Sequence, residues 1–170
     1  VARRVRLVIL CGNAGDGKTA LLQRLAEKFG CAKPPSSQRV IKTKDSGGLK
    51  IKINLDGSAA WQGKSSDELL DDLLAPFQHG EPAEDIAHLL AINDGRLLEW
   101  IEHVEEIKGP TKLTEELRRC LEENESPSSS YIRFVNLNQR SLVGGITDDP
   151  KSIQSQFVES LIDHLYGDSG

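Results

Sequence analysis

The most informative part of this 170-residue chain is the stretch Gly12-Asn13-Ala14-Gly15-Asp16-Gly17-Lys18-Thr19. Before it, Val5 to Cys11 is nearly all apolar or β-branched, which is typical of a strand covered on both faces. After it, apolar residues recur at helical spacing from Lys18 to Phe29, and Gly30 provides a stop. The sequence therefore predicts a buried strand, a glycine-rich loop and a helix in direct succession.

This stretch matches the pattern G-x-x-x-x-G-K-[ST] at every position. Glycines allow the main chain to surround a phosphate with N–H groups, and the amino end of the following helix adds partial positive charge. Lys18 can reach the β- and γ-phosphates, and the Thr19 hydroxyl can bind Mg²⁺. A simple strand-to-helix turn would need the glycines but not this lysine and threonine. The residues expected to bind ATP, with Mg²⁺, are Gly12, Asn13, Ala14, Gly15, Asp16, Gly17, Lys18, Thr19 and Ala20.

Strand and helix patterns alternate along the rest of the chain, as in an α/β domain with a mainly parallel sheet. Strands are predicted at Leu49 to Leu55, Ile86 to Asn93 and Tyr131 to Leu137, with Val40 to Lys44 as hairpin partner of the first. Helices are predicted after the capping box Ser65–Glu68, from Arg96 to Ile107, from Thr114 to Glu123 and after Asp149-Pro150. The second of these helices is expected to bury Leu97, Leu98, Ile101, Val104 and Ile107. Residues 1–170 are expected to form one domain.

The loop and this order of elements resemble the P-loop NTPases, and within them the branch that includes the AAA+ ATPases. The resemblance implies a three-layer domain with helices on both faces of the sheet. It also implies that one later strand ends in acidic residues that bind Mg²⁺ and orient the attacking water, and that another ends in a polar residue that senses the γ-phosphate. The strings Ala91 to Gly95 and Val135 to Asn138 are also similar to ATPases of bacterial defence and DNA-restriction systems.

The acidic motif of that family is matched best at Asn93-Asp94, after the run Leu89 to Ile92. Asn93 stands where the resemblance places the first carboxylate, so it would act on Mg²⁺ only through a water. Asp94 stands where the carboxylate that activates the attacking water is expected. Two alternatives stay open. Asn93-Asp94-Gly95 is also an ordinary turn signal, and Asp56, after Leu49 to Leu55, is a second candidate carboxylate.

The residue that senses the γ-phosphate is expected at the end of the last predicted strand, where the resemblance points to Asn138 or Asn136. Because side chains alternate along a strand, only one of the two is expected to face the site. Arg140 could reach a phosphate or a neighbouring subunit, and a plain surface position is its alternative. The expected catalytic residues are Lys18, Asp94 and Asn138, and the expected metal ligands are Thr19, Asn93 and Asp94.

The composition limits the partners that this chain is expected to have. Its formal net charge is −5, whereas proteins that grip nucleic acid over a broad surface are more often basic. The basic group Lys42 to Lys52 is interpreted as a solvated face, so direct binding to nucleic acid is not expected. No apolar run reaches the roughly 18 to 20 residues needed to span a bilayer, and no membrane association is expected.

Cysteine and methionine usage adds two further expectations. The three cysteines are odd in number and far apart, which is typical of reduced thiols in the cytoplasm. The chain has no methionine, not even at its start, which indicates a piece of a longer protein. The domain is expected to be truncated at its carboxyl end.

These observations favour an ATP-binding and ATP-hydrolysing module of a larger multidomain protein or complex, with other domains or subunits as partners. One alternative is a regulatory domain that binds nucleotide without hydrolysis, which the Asn93 departure keeps open. Another is a small-molecule kinase, although the stretch Asp94 to Glu125 has only three arginines and no Arg-rich lid. A GTP-dependent switch would need an Asn-Lys-x-Asp guanine reader, which the sequence lacks.

Overall fold

The computed structural model describes residues 4–32, 35, 37–44, 47–138 and 163. The strands of this part are β1 (Leu7–Cys11), β2 (Val40–Lys44), β3 (Lys50–Asn54), β4 (Ile86–Ile92) and β5 (Ile132–Asn136). The helices are α1 (Lys18–Lys28), α2 (Ser66–Leu74), α3 (Asp94–Lys108) and α4 (Lys112–Glu122), with a 3₁₀ turn at Ala75–Phe77. The predicted alternation of strands and helices is therefore confirmed over the described residues.

The five strands form one mostly parallel sheet in the order β2-β3-β4-β1-β5. β1 pairs in parallel with β4 on one side and with β5 on the other, and β3 pairs in parallel with β4. β2 runs antiparallel to β3, which confirms the predicted hairpin. Because β1, β3, β4 and β5 point the same way, their carboxyl ends share one edge of the sheet, where α/β proteins place their ligands.

Helices cover both faces of this sheet, so the described part has three layers. On one face, Leu22, Leu25 and Ala26 of α1 pack against the sheet in one buried cluster. On the other face, apolar residues of α2, α3 and α4 form a second cluster with the sheet, which includes Leu73, Trp100 and Leu117. All residues of β1 and β4 are buried, as a central parallel strand covered on both faces requires.

Two helices begin two residues earlier than the sequence suggested. α3 begins at Asp94, so Asp94 and Gly95 belong to its first turn and not to a separate turn, with Asn93 as the N-cap. α4 begins at Lys112 because Thr111 caps it: the Thr111 side chain accepts from Thr114 N, and the Thr114 side chain accepts from Thr111 N. This reciprocal cap uses threonine where glutamate is usual.

The predicted buried stripe of α3 needs two corrections, because Leu98 is only half-buried and Ile107 is exposed. Ile107 is 63% exposed, while Trp100 is fully buried. Leu97, Trp100, Ile101 and Val104 follow the i, i+3, i+4, i+7 spacing. At 100° per residue, Ile107 falls roughly 70° from the centre of that stripe, so it lies at the edge of the apolar face, in the last turn of the helix. The helix predicted after Asp149-Pro150, together with Arg140, lies outside the described residues, except for Asp163.

Candidate functional site

A cleft of about 400 Å³ opens at the carboxyl edge of the sheet, where the glycine-rich loop meets the ends of β3 and β4. It is lined by Ala14, Gly15, Asp16, Gly17, Lys18, Thr19, Ala20, Leu55, Asp56, Ala91, Ile92 and Asn93. Seven of the nine residues expected to bind nucleotide therefore line one cleft. Asn93 joins them there, as does Asp56, whereas Asp94 and Asn138 are not part of this lining.

The loop has a main-chain conformation that requires glycine at two positions. Gly17, which caps the amino end of α1, has φ of 80°, in the left-handed region that residues with a side chain rarely adopt. Gly12 has φ of 150°, and a Cβ atom there would lie 2.6 Å from Asp16 Oδ2 and 3.2 Å from Leu137 Cβ. The glycines therefore let the loop fold tightly over the end of β1, with the first turn of α1 directed at the cleft.

Lys18 is the buried cation of this loop, with only 8% of its surface exposed. Its Nζ donates to Gly12 O at 2.9 Å and also to Asn13 O. An ammonium group has three protons, so these two bonds leave one donor to face the cleft that Lys18 lines. The carbonyl groups of Gly12 and Asn13 therefore fix the position of the Lys18 ammonium group.

Thr19, in the first turn of α1, connects the loop to the end of β3. Its Oγ1 donates to Leu55 O at 2.9 Å. The hydroxyl proton is therefore used, and the lone pairs of Oγ1 remain available as metal ligands.

Asp56 follows β3 after one intervening residue, Leu55, and is half-buried in the lining of the same cleft. Its main-chain N–H donates to Asn54 Oδ1 at 3.0 Å, and its Oδ1 accepts from Ser58 N at 3.0 Å. Oδ2 lies 4.0 Å from Arg39 Nε. These contacts fix the position of the carboxylate next to Thr19, because Thr19 is bound to the preceding residue.

Asp94 lies on the other side of the loop from this pair. Its Oδ2 accepts from Asn138 Nδ2 at 2.9 Å and from Asn136 Nδ2 at 3.4 Å. Its Oδ1 is buried and has no hydrogen-bond partner in the part of the chain that the structure describes. Burial raises the pKa of the neighbouring Cys11 thiol, and the Asp94 carboxylate acts in the same direction. Cys11 is therefore a neutral thiol beneath the loop.

Both asparagines at the end of β5 reach Asp94, and neither is among the residues that line the cleft. Side chains two residues apart lie on the same side of a strand, so alternation gives no ground for separating Asn136 from Asn138, although Asn138 follows β5 in a turn. Asn138 also accepts, through Oδ1, from Asn13 N at 3.1 Å. Asn13 N donates in addition to Asp16 Oδ2 at 2.6 Å. Asn138 therefore bridges Asp94 and the loop.

Sequence reasoning ranked Asp56 below Asp94 and gave Asn54 no role. The alternating lysines of Leu49 to Leu55 suggested a half-exposed strand, and Asp56-Gly57 at its end is also an ordinary turn signal. The missing information was that β3 pairs in parallel with β4, which brings the carboxyl ends of both strands to the same edge. The sequence predicted only the hairpin of β3 with β2, because that connection is short, and gave no indication of the pairing with β4.

The described residues contain no group of three or more His, Cys, Asp or Glu side chains placed to hold a metal ion. None of their helices is both long enough and apolar enough to cross a membrane. Comparison of the chain with protein-family models, with curated proteins and with solved structures finds no match.

Proposed function

We propose that this domain binds ATP in a Mg²⁺-dependent manner through the loop Gly12 to Thr19 and hydrolyses it as a module of a larger protein or complex. One observation carries the proposal. A loop of the pattern G-x-x-x-x-G-K-[ST] joins a buried parallel strand to a helix, and it lines a cleft at the carboxyl edge of the sheet with its lysine buried beneath it. This is the place and the chemistry that a polyphosphate requires.

The triphosphate would be held mainly by main-chain N–H groups at the start of α1. Gly15 and Gly17 carry no side chain that could cover these groups, and both have a positive φ, 91° and 80°, that residues with a side chain rarely adopt. Lys18 adds one charge-assisted donor, already positioned by its two bonds to the loop carbonyls. The phosphates are therefore recognised by a prepared set of donors.

The residues near the cleft also fit Mg²⁺, which prefers oxygen ligands and commonly uses one or two carboxylates together with substrate phosphates. Thr19 Oγ1 offers its lone pairs, and the Asp56 carboxylate lies beside it in the same lining. Mg²⁺, when bound, would neutralise charge on the β- and γ-phosphates. This pairing favours Asp56 over Asp94 as the carboxylate on the metal, because Asp94 is turned towards Asn136 and Asn138.

Asn93 is the other polar group of the cleft, as the N-cap of α3 with a side chain that makes no capping hydrogen bond. Its amide is free to donate to a γ-phosphate or to hold a water beside it. We assign to Asn93 the sensing role that the sequence suggested for Asn138. Asp94 and Asn138 then support the loop, because Asn138 bonds both to Asp94 and to Asn13 N.

The second candidate is a domain that binds nucleotide without hydrolysis. It is favoured by the hydrogen bonds of Asp94, which direct the expected water-activating carboxylate away from the cleft lining. Both candidates require nucleotide binding, and they differ only in the turnover of bound ATP.

The test is to measure phosphate release and nucleotide affinity, with and without Mg²⁺, for the unmodified chain and for Asp56→Asn and Asp94→Asn. The exposed Glu102→Gln of α3 removes the same charge far from the cleft and serves as the control. We expect Asp56→Asn to abolish the gain in affinity that Mg²⁺ provides, while Asp94→Asn and the control retain it. Binding without phosphate release would select the second candidate, and absence of nucleotide binding would refute both.

A further inference from the structure

Four lysines of the β2–β3 hairpin lie on one face of the sheet. Lys42 stands directly opposite Lys52, and Lys44 directly opposite Lys50. Like charges in directly opposite positions destabilise a strand pair. Glu84 offsets one of these four positive charges, because its Oε2 lies 3.3 Å from Lys50 Nζ. Among the described residues, Lys42, Lys44 and Lys52 form no ion pair, and we call these three residues the lysine face.

This face borders a groove of about 400 Å³ whose lining also includes Ile86 and His88 of β4. Ile86 is apolar and nearly buried, and the aliphatic stems of the lysines extend the apolar floor. The groove thus combines an apolar base with three ammonium groups at its border. It is separate from the nucleotide cleft and shares no lining residue with it.

Protection of an exposed strand edge does not account for this arrangement. Lysines on an edge strand prevent sheet-to-sheet aggregation, and Lys42 and Lys44 of β2 could serve that purpose. Lys52, however, lies on β3 inside the sheet and is half-buried. Partial burial lowers its pKa, with Lys42 and Lys64 adding to the effect and Asp72 opposing it. Asp72, which is already paired with Lys64, is the anion that acts on Lys52, so this face retains an excess of positive charge that an acidic ligand would offset.

We propose that the lysine face binds a short acidic segment of a partner protein, in which carboxylates flank an apolar side chain. In an extended segment, alternate side chains lie about 6.8 Å apart, which matches the spacing of Lys42 and Lys44 on their own strand. An apolar residue between two carboxylates would contact Ile86. The site does not depend on the nucleotide-binding proposal.

A strand of nucleic acid fits the same surface less well. Three unpaired cations would neutralise about three phosphates, and the rest of the chain, with a net charge of −5, repels a longer polyanion. The apolar floor at Ile86 also has no counterpart in a phosphodiester backbone. An acidic protein segment uses both the charge and the floor.

The test uses a fluorescein-labelled peptide of about twelve residues that repeats Glu-Leu-Glu, with single-stranded oligothymidylate of equal net charge as the competing probe. The variant Lys42→Gln/Lys44→Gln/Lys52→Gln removes the lysine face. The control Lys28→Gln/Lys108→Gln/Lys112→Gln removes the same charge from exposed helical positions. Thermal unfolding checks both variants, and the lysine-face variant is expected to melt no lower than the unmodified chain because a like-charge cluster is lost.

Fluorescence anisotropy should show peptide binding that the lysine-face variant weakens at least about tenfold and the control variant less than about twofold. Lys18→Ala should leave peptide binding unchanged. The proposal is overturned if the peptide does not bind, if both triple variants weaken it equally, or if oligothymidylate binds this face more tightly than the peptide.

Discussion

The two sides of the glycine loop differ in how their polar groups are used. On the cleft side, the Asn93 side chain makes no capping hydrogen bond, and Asp56, although bonded to Ser58 N and near Arg39, has carboxylate lone pairs left for a ligand. On the opposite side, Asp94, Asn136 and Asn138 are bonded to one another and to the loop. The same residue types thus serve two purposes. One set is placed to meet the phosphates and metal, and the other fixes the loop that carries them.

The largest expected effect comes from Lys18, which belongs to the cleft side. Lys18→Ala should lower the affinity for ATP about 10- to 140-fold, since a charge-assisted hydrogen bond contributes roughly 1.5 to 3 kcal/mol. Lys28→Ala, in the last turn of the same helix, should leave affinity unchanged. Equilibrium dialysis with radiolabelled ATP measures both. Equal affinity of the two variants would show that phosphates do not reach the buried ammonium group.

Replacing Asp94 and replacing Asp56 should have different effects on the free energy of unfolding, as well as on ligand binding. Asp94→Asn should lower the free energy of unfolding by about 1 to 3 kcal/mol, because the new side-chain oxygen can replace Oδ2 only if the N–H₂ group is buried where Oδ1 has no partner. Asp56→Asn should change it by less than about 1 kcal/mol, since its oxygen can still accept from Ser58 N. Urea unfolding monitored by circular dichroism measures both. The reverse order of destabilisation would contradict the division between the two sides.

A smaller effect is expected from the bridge at Asn138. Asn138→Ala removes the bonds to Asn13 N and Asp94 and should cost about 1 kcal/mol of stability. It should also weaken ATP binding, because the loop loses a support. Asn138→Asp keeps the acceptor for Asn13 N but faces the Asp94 carboxylate, so it should destabilise more than alanine does. If both variants bind ATP like the unmodified chain, the bridge does not position the loop.

The smallest expected effect is on the pH dependence of stability, and it concerns His88, a buried residue away from the loop. Burial lowers the pKa of His88, although its Nδ1 contact with Leu73 O, at 2.5 Å, acts in the opposite direction. The unfolded chain therefore binds this proton more tightly than the folded chain, and stability falls as the pH decreases below about 6.5. The melting temperature between pH 7.5 and 5.5 should fall less steeply for His88→Gln than for the control at the exposed His79, His79→Gln. An equal change of melting temperature with pH in the two variants would contradict this expectation.

Much of the fold could be predicted from local patterns. The strand, loop and helix around Gly12 to Thr19 and the capping box at Ser65 depend on neighbours in sequence, and the structure confirms them. The hairpin of β2 and β3 was predictable for the same reason. Burial of Ile107 was predicted wrongly because apolar spacing alone does not define which residues centre the stripe.

The pairing of polar residues across the site could not be predicted in the same way. Which strands are neighbours decides whether Asp56 lies in the cleft, and that depends on contacts between residues far apart in sequence. The reach of both Asn136 and Asn138 to Asp94 depends on where β5 ends, within a residue or two. Strand ends are the part of a structure that sequence patterns define least well.

The central claim is that this loop grips a polyphosphate, and calorimetric titration of MgATP into the unmodified chain tests it most directly. The account predicts saturable binding of one nucleotide per chain, weakened without Mg²⁺ and displaced by inorganic tripolyphosphate. Failure of ATP and GTP to bind, or binding that tripolyphosphate leaves undisturbed, would contradict it.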